Sequence, residues 1–297
     1  MKIITFGSEG QLGHELVKQG NRLGFKILPF DLPEVDITDP LQIANIVLTS
    51  QARLVVNAAA YTNVDRAETE KTLAFAVNRD GPENIAHACK KQNIPFIHIS
   101  TDYVFNGVKK HPYTEADQVF PLGVYGHSKS EGEKKIRSYI KKHIIIRTSW
   151  LYSVYGHNFV KTMLKLGKEN RSLKVVSDQF GSPTSAADLA ETVLNIGRKI
   201  QKSIKIDWGT YHYCGLGITT WNLFAKKIFE IAKQYTPLKI ETVKPIKTDE
   251  YPTPAERPIY SVLDCSLIEQ KFGIQPKPWE ESLHETIDRM MKKEGGC

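Results

Sequence analysis

Cysteine is scarce in this chain. Its 297 residues include 4, at Cys89, Cys214, Cys265 and Cys297, and their spacing suits neither a metal site nor a disulfide framework. No apolar run approaches the roughly 18 residues that mark a membrane span, so no membrane partner is expected. The opening Met1–Phe6 is too short for the apolar core of a secretion signal and runs directly into glycines. It reads as a buried strand, and the expected location is cytoplasmic. Internal repeats and low-complexity tracts are absent. A zinc knuckle, a basic zipper and an aromatic-interleaved basic stretch are also missing, so nucleic acid is not an expected partner. The formal charge of +7 instead suits a small anionic substrate, and Lys134-Lys135, Lys141-Lys142 and Lys226-Lys227 fit outer helix faces.

What is present is ordinary for a globular protein, with 41% hydrophobic and 25% charged residues in a chain long enough to bury a sizeable core. Apolar, strand-like runs at Lys2–Phe6, Lys26–Phe30, Leu54–Asn57, Pro95–Ser100 and His143–Thr148 alternate with helical patterns at Leu12–Leu23, Leu41–Leu48, Thr72–Gln92 and Ser128–Ile140. Strands without polar alternation are buried on both faces, and this rhythm predicts an α/β fold with a Rossmann-type, doubly wound parallel sheet. After Thr148 the rhythm loosens. Helices are expected at Asn158–Gly167, Ala187–Arg198, Thr220–Lys233 and Trp279–Met291, with a short strand at Thr210–Cys214. Proline withholds donors from regular structure through Thr236–Tyr260, which is expected to be an ordered loop or a linker. The predicted plan is a dinucleotide-binding domain of residues 1–149 and 186–214, with a smaller, discontinuous C-terminal substrate lobe of residues 150–185 and 215–297.

Gly7-Ser8-Glu9-Gly10-Gln11-Leu12-Gly13 follows the first strand and opens the first helix. Glycines there permit a tight turn, close approach of a pyrophosphate to the backbone and close helix packing, with the phosphate at the helix N-terminus. Gly7, Gly10, Gln11, Leu12 and Gly13 are therefore candidate cofactor residues. Asp31 ends the second strand, where a carboxylate accepts from ribose hydroxyls and repels a 2′-phosphate. This favours NADH over NADPH, although Arg22 and Arg53 could compensate for a phosphate. In Asp36-Ile37-Thr38-Asp39, Asp36 and Ile37 either meet the adenine or belong to a helix cap. Ala58, Ala59 and Ala60 end the third strand, where small residues let a dinucleotide lie close or simply pack tightly.

Tyr125 and Lys129 lie one helical turn apart, on the same face. A phenol titrates near 10, and an ammonium beside it would favour the phenolate. Thr101, in Ser100-Thr101-Asp102-Tyr103, reaches the same sheet edge after the fourth strand, though alone it is equally a turn cap. A hydroxyl, a phenol and an ammonium beside a nicotinamide imply hydride transfer at a carbon–oxygen centre, the tyrosine handling the proton.

With these parts the chain resembles the extended short-chain dehydrogenase/reductases. Gly10-Gln11-Leu12-Gly13, Asn57–Ala60, Ser100–Phe105, Tyr125-Gly126, Arg147–Trp150, Asn158-Phe159, Asp178–Thr184 and Tyr251–Pro258 together resemble the dTDP-4-dehydrorhamnose reductase family. The resemblance implies reduction of the 4-keto group of a dTDP-sugar, dTDP-4-dehydro-L-rhamnose, by NADH or NADPH. Thr101 would bond the substrate oxygen, Tyr125 would donate the proton, and Lys129 would hold the nicotinamide ribose while easing the Tyr125 ionisation. Tyr103 and Trp150 would shape the sugar pocket. Asn158, Lys161, Gln179 and Arg257 would meet the sugar or diphosphate, with a helix cap or a surface ion pair as the plain alternative for the Asn and the Arg.

Some members resemble magnesium-linked dimers built on glutamates of the first helix and two later helices. Here Glu15 matches, but Ala187 and Arg289 stand at the other positions and supply no oxygen ligands. Magnesium is therefore not expected, and a homodimer, if formed, would lack that bridge. The shared parts leave two other readings: another nucleotide-sugar ketoreductase or epimerase, and a non-catalytic subunit resembling the beta subunit of methionine adenosyltransferase. The Asp178–Thr184 and Tyr251–Pro258 runs favour the reductase, and the intact Thr101, Tyr125 and Lys129 oppose the subunit.

Overall fold

A computed structural model describes residues 1–202 and 205–294, so Cys297 lies outside the described residues. The first half alternates β1 (Lys2–Phe6), α1 (Gln11–Arg22), β2 (Lys26–Phe30), α2 (Pro40–Thr49), β3 (Leu54–Asn57), α3 (Val64–Ala67), α4 (Lys71–Phe75), α5 (Gly81–Gln92), β4 (Phe96–Thr101), α6 (Val124–Tyr139) and β5 (His143–Thr148). There follow β6 (Leu151–Tyr152), α7 (Phe159–Glu169), β7 (Ser172–Val176), β8 (Phe180–Gly181), β9 (Thr184–Ser185), α8 (Ala186–Gln201) and β10 (Gly209–His212). The chain continues through β11 (Thr219–Thr220), α9 (Trp221–Ala232), β12 (Thr242–Ile246), α10 (Ser266–Phe272) and α11 (Trp279–Glu294).

The 6-stranded sheet has the order β10-β5-β4-β3-β1-β2, and every pairing in it is parallel. Successive residues serve opposite faces. Ile3, Val56, Ile144 and Ile146 pack with Leu16 of α1 and Leu189 and Val193 of α8, whereas Ile4, Val55 and Ile145 pack with Ile43, Ile85 and Ile136 of α2, α5 and α6. Burying each such side chain contributes about 1.5–3 kcal/mol, which is why the strands carry apolar residues on both faces. A separate cluster, with Tyr152, Val160, Phe224, Ile228, Trp279 and Leu283, forms the core of the later elements.

Three of the differences from expectation have a local physical cause. The helix expected over Thr72–Gln92 is interrupted by a π turn at Ala76–Asp80, because Pro82 offers no amide to continue the ladder. Helix α6 starts at Val124 rather than Ser128, since the Glu68 carboxylate accepts from the Val124 amide at 2.8 Å and supplies a cap from 56 residues away. The proline-rich stretch contains β12, paired in parallel with β7 in a 2-stranded sheet. Both its strands are edges, where Pro245 can lack a donor without breaking a central ladder.

Candidate active site

The turn after β1 can form only with glycine at two places. Gly7 has φ +79°, and a Cβ on it would lie 2.4 Å from the Ala59 amide nitrogen. A Cβ on Gly13 would lie 2.1 Å from the Gly7 carbonyl oxygen, so Gly13 brings α1 tight under the turn. Gly10 is the N-cap of α1 and provides no capping side chain. Among the described residues the first amides of that helix therefore have no side-chain partner and point, with the positive end of the helix dipole, to where an anion would sit. These residues fit the pyrophosphate of a dinucleotide.

A cavity of about 860 Å³ runs from this turn along the carboxyl edge of the sheet. It is lined by Gly7, Gly10, Gln11, Leu12, Asp31, Asp36, Ile37, Ala58, Ala59, Ala60, Thr101, Tyr103, Tyr125, Lys129 and Trp150, among others. Gly13 lies beneath it rather than on its wall. Asp39, not Asp36, caps α2, through the Leu41 and Gln42 amides at 2.9 and 3.1 Å. Asp31 already accepts from the Glu9 amide at 2.7 Å and the Leu32 amide at 2.8 Å, tying the glycine turn to β2.

At the far end, the Thr101 hydroxyl donates to Asp102 at 3.1 Å, and the Tyr103 ring meets Tyr125 edge-on at 5.6 Å between centroids. Burial pushes the Tyr125 phenol up to about 12, the Thr101 hydroxyl beside it acting in the opposite direction and Asp102 in the same one. Here the structure departs from the expected ammonium–phenol pair. Lys129 donates to the Ile99 carbonyl at 2.7 Å and lies 3.3 Å from His98 Nε2, so its amino group is engaged at β4, and burial leaves the phenol raised, not lowered. Burial lowers Lys129 itself to about 8, against an upward pull from Glu133. Burial would raise the Glu133 carboxyl, but Arg147, Arg137 and Ser100 hold it at about 2. Arg147 reaches it from β5 with contacts of 2.9 and 2.7 Å.

Four candidates for the sugar or diphosphate lie off this cavity. Asn158 caps α7 at the Lys161 amide and donates to Gln11 Oε1 at 3.0 Å and the Ser153 carbonyl at 2.8 Å. Lys161 donates to the Gly156 carbonyl at 3.0 Å. Gln179 accepts from the Trp221 indole at 3.2 Å and donates to Thr248 at 3.1 Å. Arg257 pairs with Asp65 at 2.8 Å and lines a neighbouring cavity with Phe120, Phe180 and Tyr260.

Sequence reasoning passed over Trp221, which stacks on Trp150 at 3.6 Å with an 8° interplanar angle and lines the cavity. Its only local signal is a large aromatic directly after the Thr220 cap of α9. Trp150 itself has φ +47°, rare for a bulky residue, and Gly181 makes room for it, since a Cβ there would lie 2.4 Å from the indole.

The chain matches the family model described as the RmlD substrate binding domain over residues 1–292. It is similar to a dTDP-4-dehydrorhamnose reductase of Sinorhizobium fredii, 43% identical over 288 residues that cover 97% of each chain. Among solved structures it is similar to a dTDP-4-dehydrorhamnose reductase of Clostridium acetobutylicum, with TM-score 0.91, 41% identity and 98% and 99% of the two chains covered. The Bacillus anthracis dTDP-4-dehydrorhamnose reductase, solved in complex with NADP, gives TM-score 0.89 and 39% identity over 97% and 99%.

Proposed function

The chain belongs to the RmlD family of dTDP-4-dehydrorhamnose reductases, and from that premise we propose how its own residues carry out an NAD(P)H-dependent reduction. The substrate is dTDP-4-dehydro-L-rhamnose, and the product is dTDP-L-rhamnose. The single observation that carries this reading is the placement of Thr101, Tyr125 and Lys129 on the wall of the same cavity as the glycine turn.

The bound cofactor supplies the hydride. Thr101 holds the C4 oxygen by a hydrogen bond and Tyr125 delivers its proton there, a task suited to a phenol that burial keeps protonated at neutral pH. Lys129 holds the nicotinamide ribose. The amides of Gln11 and Leu12 hold the pyrophosphate, Asp31 and the Asp36-Ile37 turn hold the adenosine, and Ala58, Ala59 and Ala60 let the dinucleotide lie close. Tyr103 and the Trp150–Trp221 stack form an apolar wall for the sugar, and Gln179 fixes that wall through Trp221.

Arg257 stands beside Tyr103 and Asp65 where a diphosphate could compete for it, and Asn158, at the cap of α7, supports Gln11 at the end of the glycine turn while Lys161 holds the Gly156 carbonyl. The sheet with residues 1–149 and 186–214 is the cofactor lobe, and residues 150–185 and 215–297 form the sugar lobe. We further infer a cytoplasmic enzyme whose homodimer, where it forms, needs no bridging metal. Incubation with dTDP-4-dehydro-L-rhamnose and each reduced cofactor, with NMR identification of the product, tests the reading. Cofactor binding without turnover would favour a regulatory subunit instead.

A further inference from the structure

Beneath the cavity, Asn57 at the end of β3 and His98 in β4 are fully buried, and the reaction as described uses neither. Their partners fix the direction of every hydrogen bond between them. The Ala59 backbone N–H donates to Asn57 Oδ1 at 3.0 Å, which turns the amide so that Nδ2 faces His98 Nδ1 at 3.2 Å. An amide nitrogen only donates, so His98 Nδ1 must accept and the ring proton must sit on Nε2. That Nε2 lies 3.3 Å from Lys129 Nζ. An ammonium has three donors and no acceptor, whereas a neutral amine has a lone pair for Nε2–H and an N–H for the Ile99 carbonyl at 2.7 Å.

We propose that Asn57 and His98 are positioning residues that favour the neutral amine form of Lys129 in the ligand-free protein, at the end of a one-way chain from Ala59 N–H through Asn57 and His98.

The alternatives each leave two donors facing one another in a buried place. Turning the Asn57 amide over sets Nδ2 against the Ala59 N–H. Protonating both ring nitrogens of His98 sets Nδ1–H against Nδ2. An ammonium on Lys129 meets Nε2–H. Each costs a buried donor its partner. The charged and titratable groups around Lys129 agree with the geometry. On α6, Glu133 pulls it upward, but Arg147 of β5 and Arg137 of α6 answer that carboxylate, and Tyr125 is held protonated. From β4 comes His98, which burial, and then the cationic form of Lys129, hold well below the usual imidazole range. Because the chain stabilises the neutral amine, it lowers the pH at which Lys129 gives up its proton.

The structural claim stands apart from the assigned reaction, and only its consequence for turnover rests on that reading. ¹⁵N-histidine NMR of the ligand-free full chain, at a pH above the Lys129 midpoint, is the direct test. A His98 ring protonated on Nε2 with bare Nδ1 is expected, and an Nδ1–H ring would overturn the proposal, since Lys129 would then be the donor. In ¹³Cε-lysine spectra, Lys129 should titrate near 8. His98→Leu, which removes the donor, should raise that midpoint by about 1 unit, a tenfold change in proton affinity.

The alkaline limb of kcat/KM should move upward with it, which lost packing alone would not cause. A midpoint that falls or stays in place in His98→Leu overturns the positioning role. Should His98→Leu fail to fold, Asn57→Asp decides. It accepts from both the Ala59 N–H and a His98 Nδ1–H, so the ring proton should move to Nδ1 and the Lys129 midpoint should rise. A ring that keeps Nε2–H there would overturn the proposal. Absence of turnover in a wild-type protein with the Nε2–H ring would count against the assigned reaction and leave the hydrogen-bond chain intact.

Discussion

Tyr125 has the ionisation a proton donor needs, and its ring is held independently of its hydroxyl by the edge contact with Tyr103. Tyr125→Phe should therefore keep cofactor affinity, read by fluorescence titration, and lose about 10²–10⁴-fold in kcat, the usual worth of a positioned acid. Near-normal turnover would remove Tyr125 from that role. Lys129→Met should weaken cofactor binding as well, so the two variants separate in the titration. Asp31→Ala should raise the kcat/KM ratio of NADPH over NADH, because the carboxylate that repels a 2′-phosphate is gone. An unchanged ratio would leave Asp31 only its tie between the glycine turn and β2, through the Glu9 and Leu32 amides. At this scale the residue types were legible because their spacing is local: a turn of glycines, a Tyr and Lys one helical turn apart. The partners of Lys129 were not, since Ile99 and His98 approach it from a strand 30 and 31 residues earlier.

Helix α6 carries both Tyr125 and Lys129, and its height over the sheet edge is set by two glycines. A Cβ on Gly126 would lie 2.2 Å from the Tyr103 carbonyl oxygen, and one on Gly132 would lie 2.1 Å from that of Asn78, in the π turn before Pro82. Gly126→Ala must therefore push the first turn of α6 away from Tyr103 and Thr101. We expect a folded protein destabilised by about 1–3 kcal/mol, as for other overpacked sites. Its kcat should fall on the order of 10²-fold, the effect of an ångström-scale misplacement, with cofactor affinity less affected. Thermal unfolding and steady-state rates check this, and a wild-type kcat would show that the helix yields without moving Tyr125. Elements written as a continuous, mostly apolar run were legible: β1, β2, β3 and β5 match expectation residue for residue. The start of α6 was not, because its cap is a glutamate from α3's far flank, and β6, β8, β9 and β11 were not, because 2 residues carry no period.

Across the whole molecule, the first and last helices are joined at Glu15 and Arg289, 274 residues apart in sequence and 2.6 Å apart in space. Gln19 joins them, donating to the Glu15 carboxylate at 3.3 Å and to the Ala187 carbonyl at 2.9 Å. The three positions at which the resemblance would have set metal-binding glutamates thus do meet, although nothing local in the sequence relates them. What they assemble is an internal ion pair. Glu15 is buried and Arg289 half-exposed, so a divalent ion approaching the carboxylate would first have to displace a bonded guanidinium. Asp188, the carboxylate next to Ala187 in sequence, faces away: it accepts from Ser282 of α11 and lies 3.6 Å from Lys277. Activity and assembly should therefore be unaffected by EDTA and by added magnesium, measured as initial rates and sedimentation before and after chelation. Dissociation or lost activity on chelation, restored by magnesium, would mean that Arg289 swings out of the Glu15 pair in the assembled protein. Arg289→Glu should reverse the local charge, leave Glu15 facing a second carboxylate, and make stability respond to magnesium where the wild type does not.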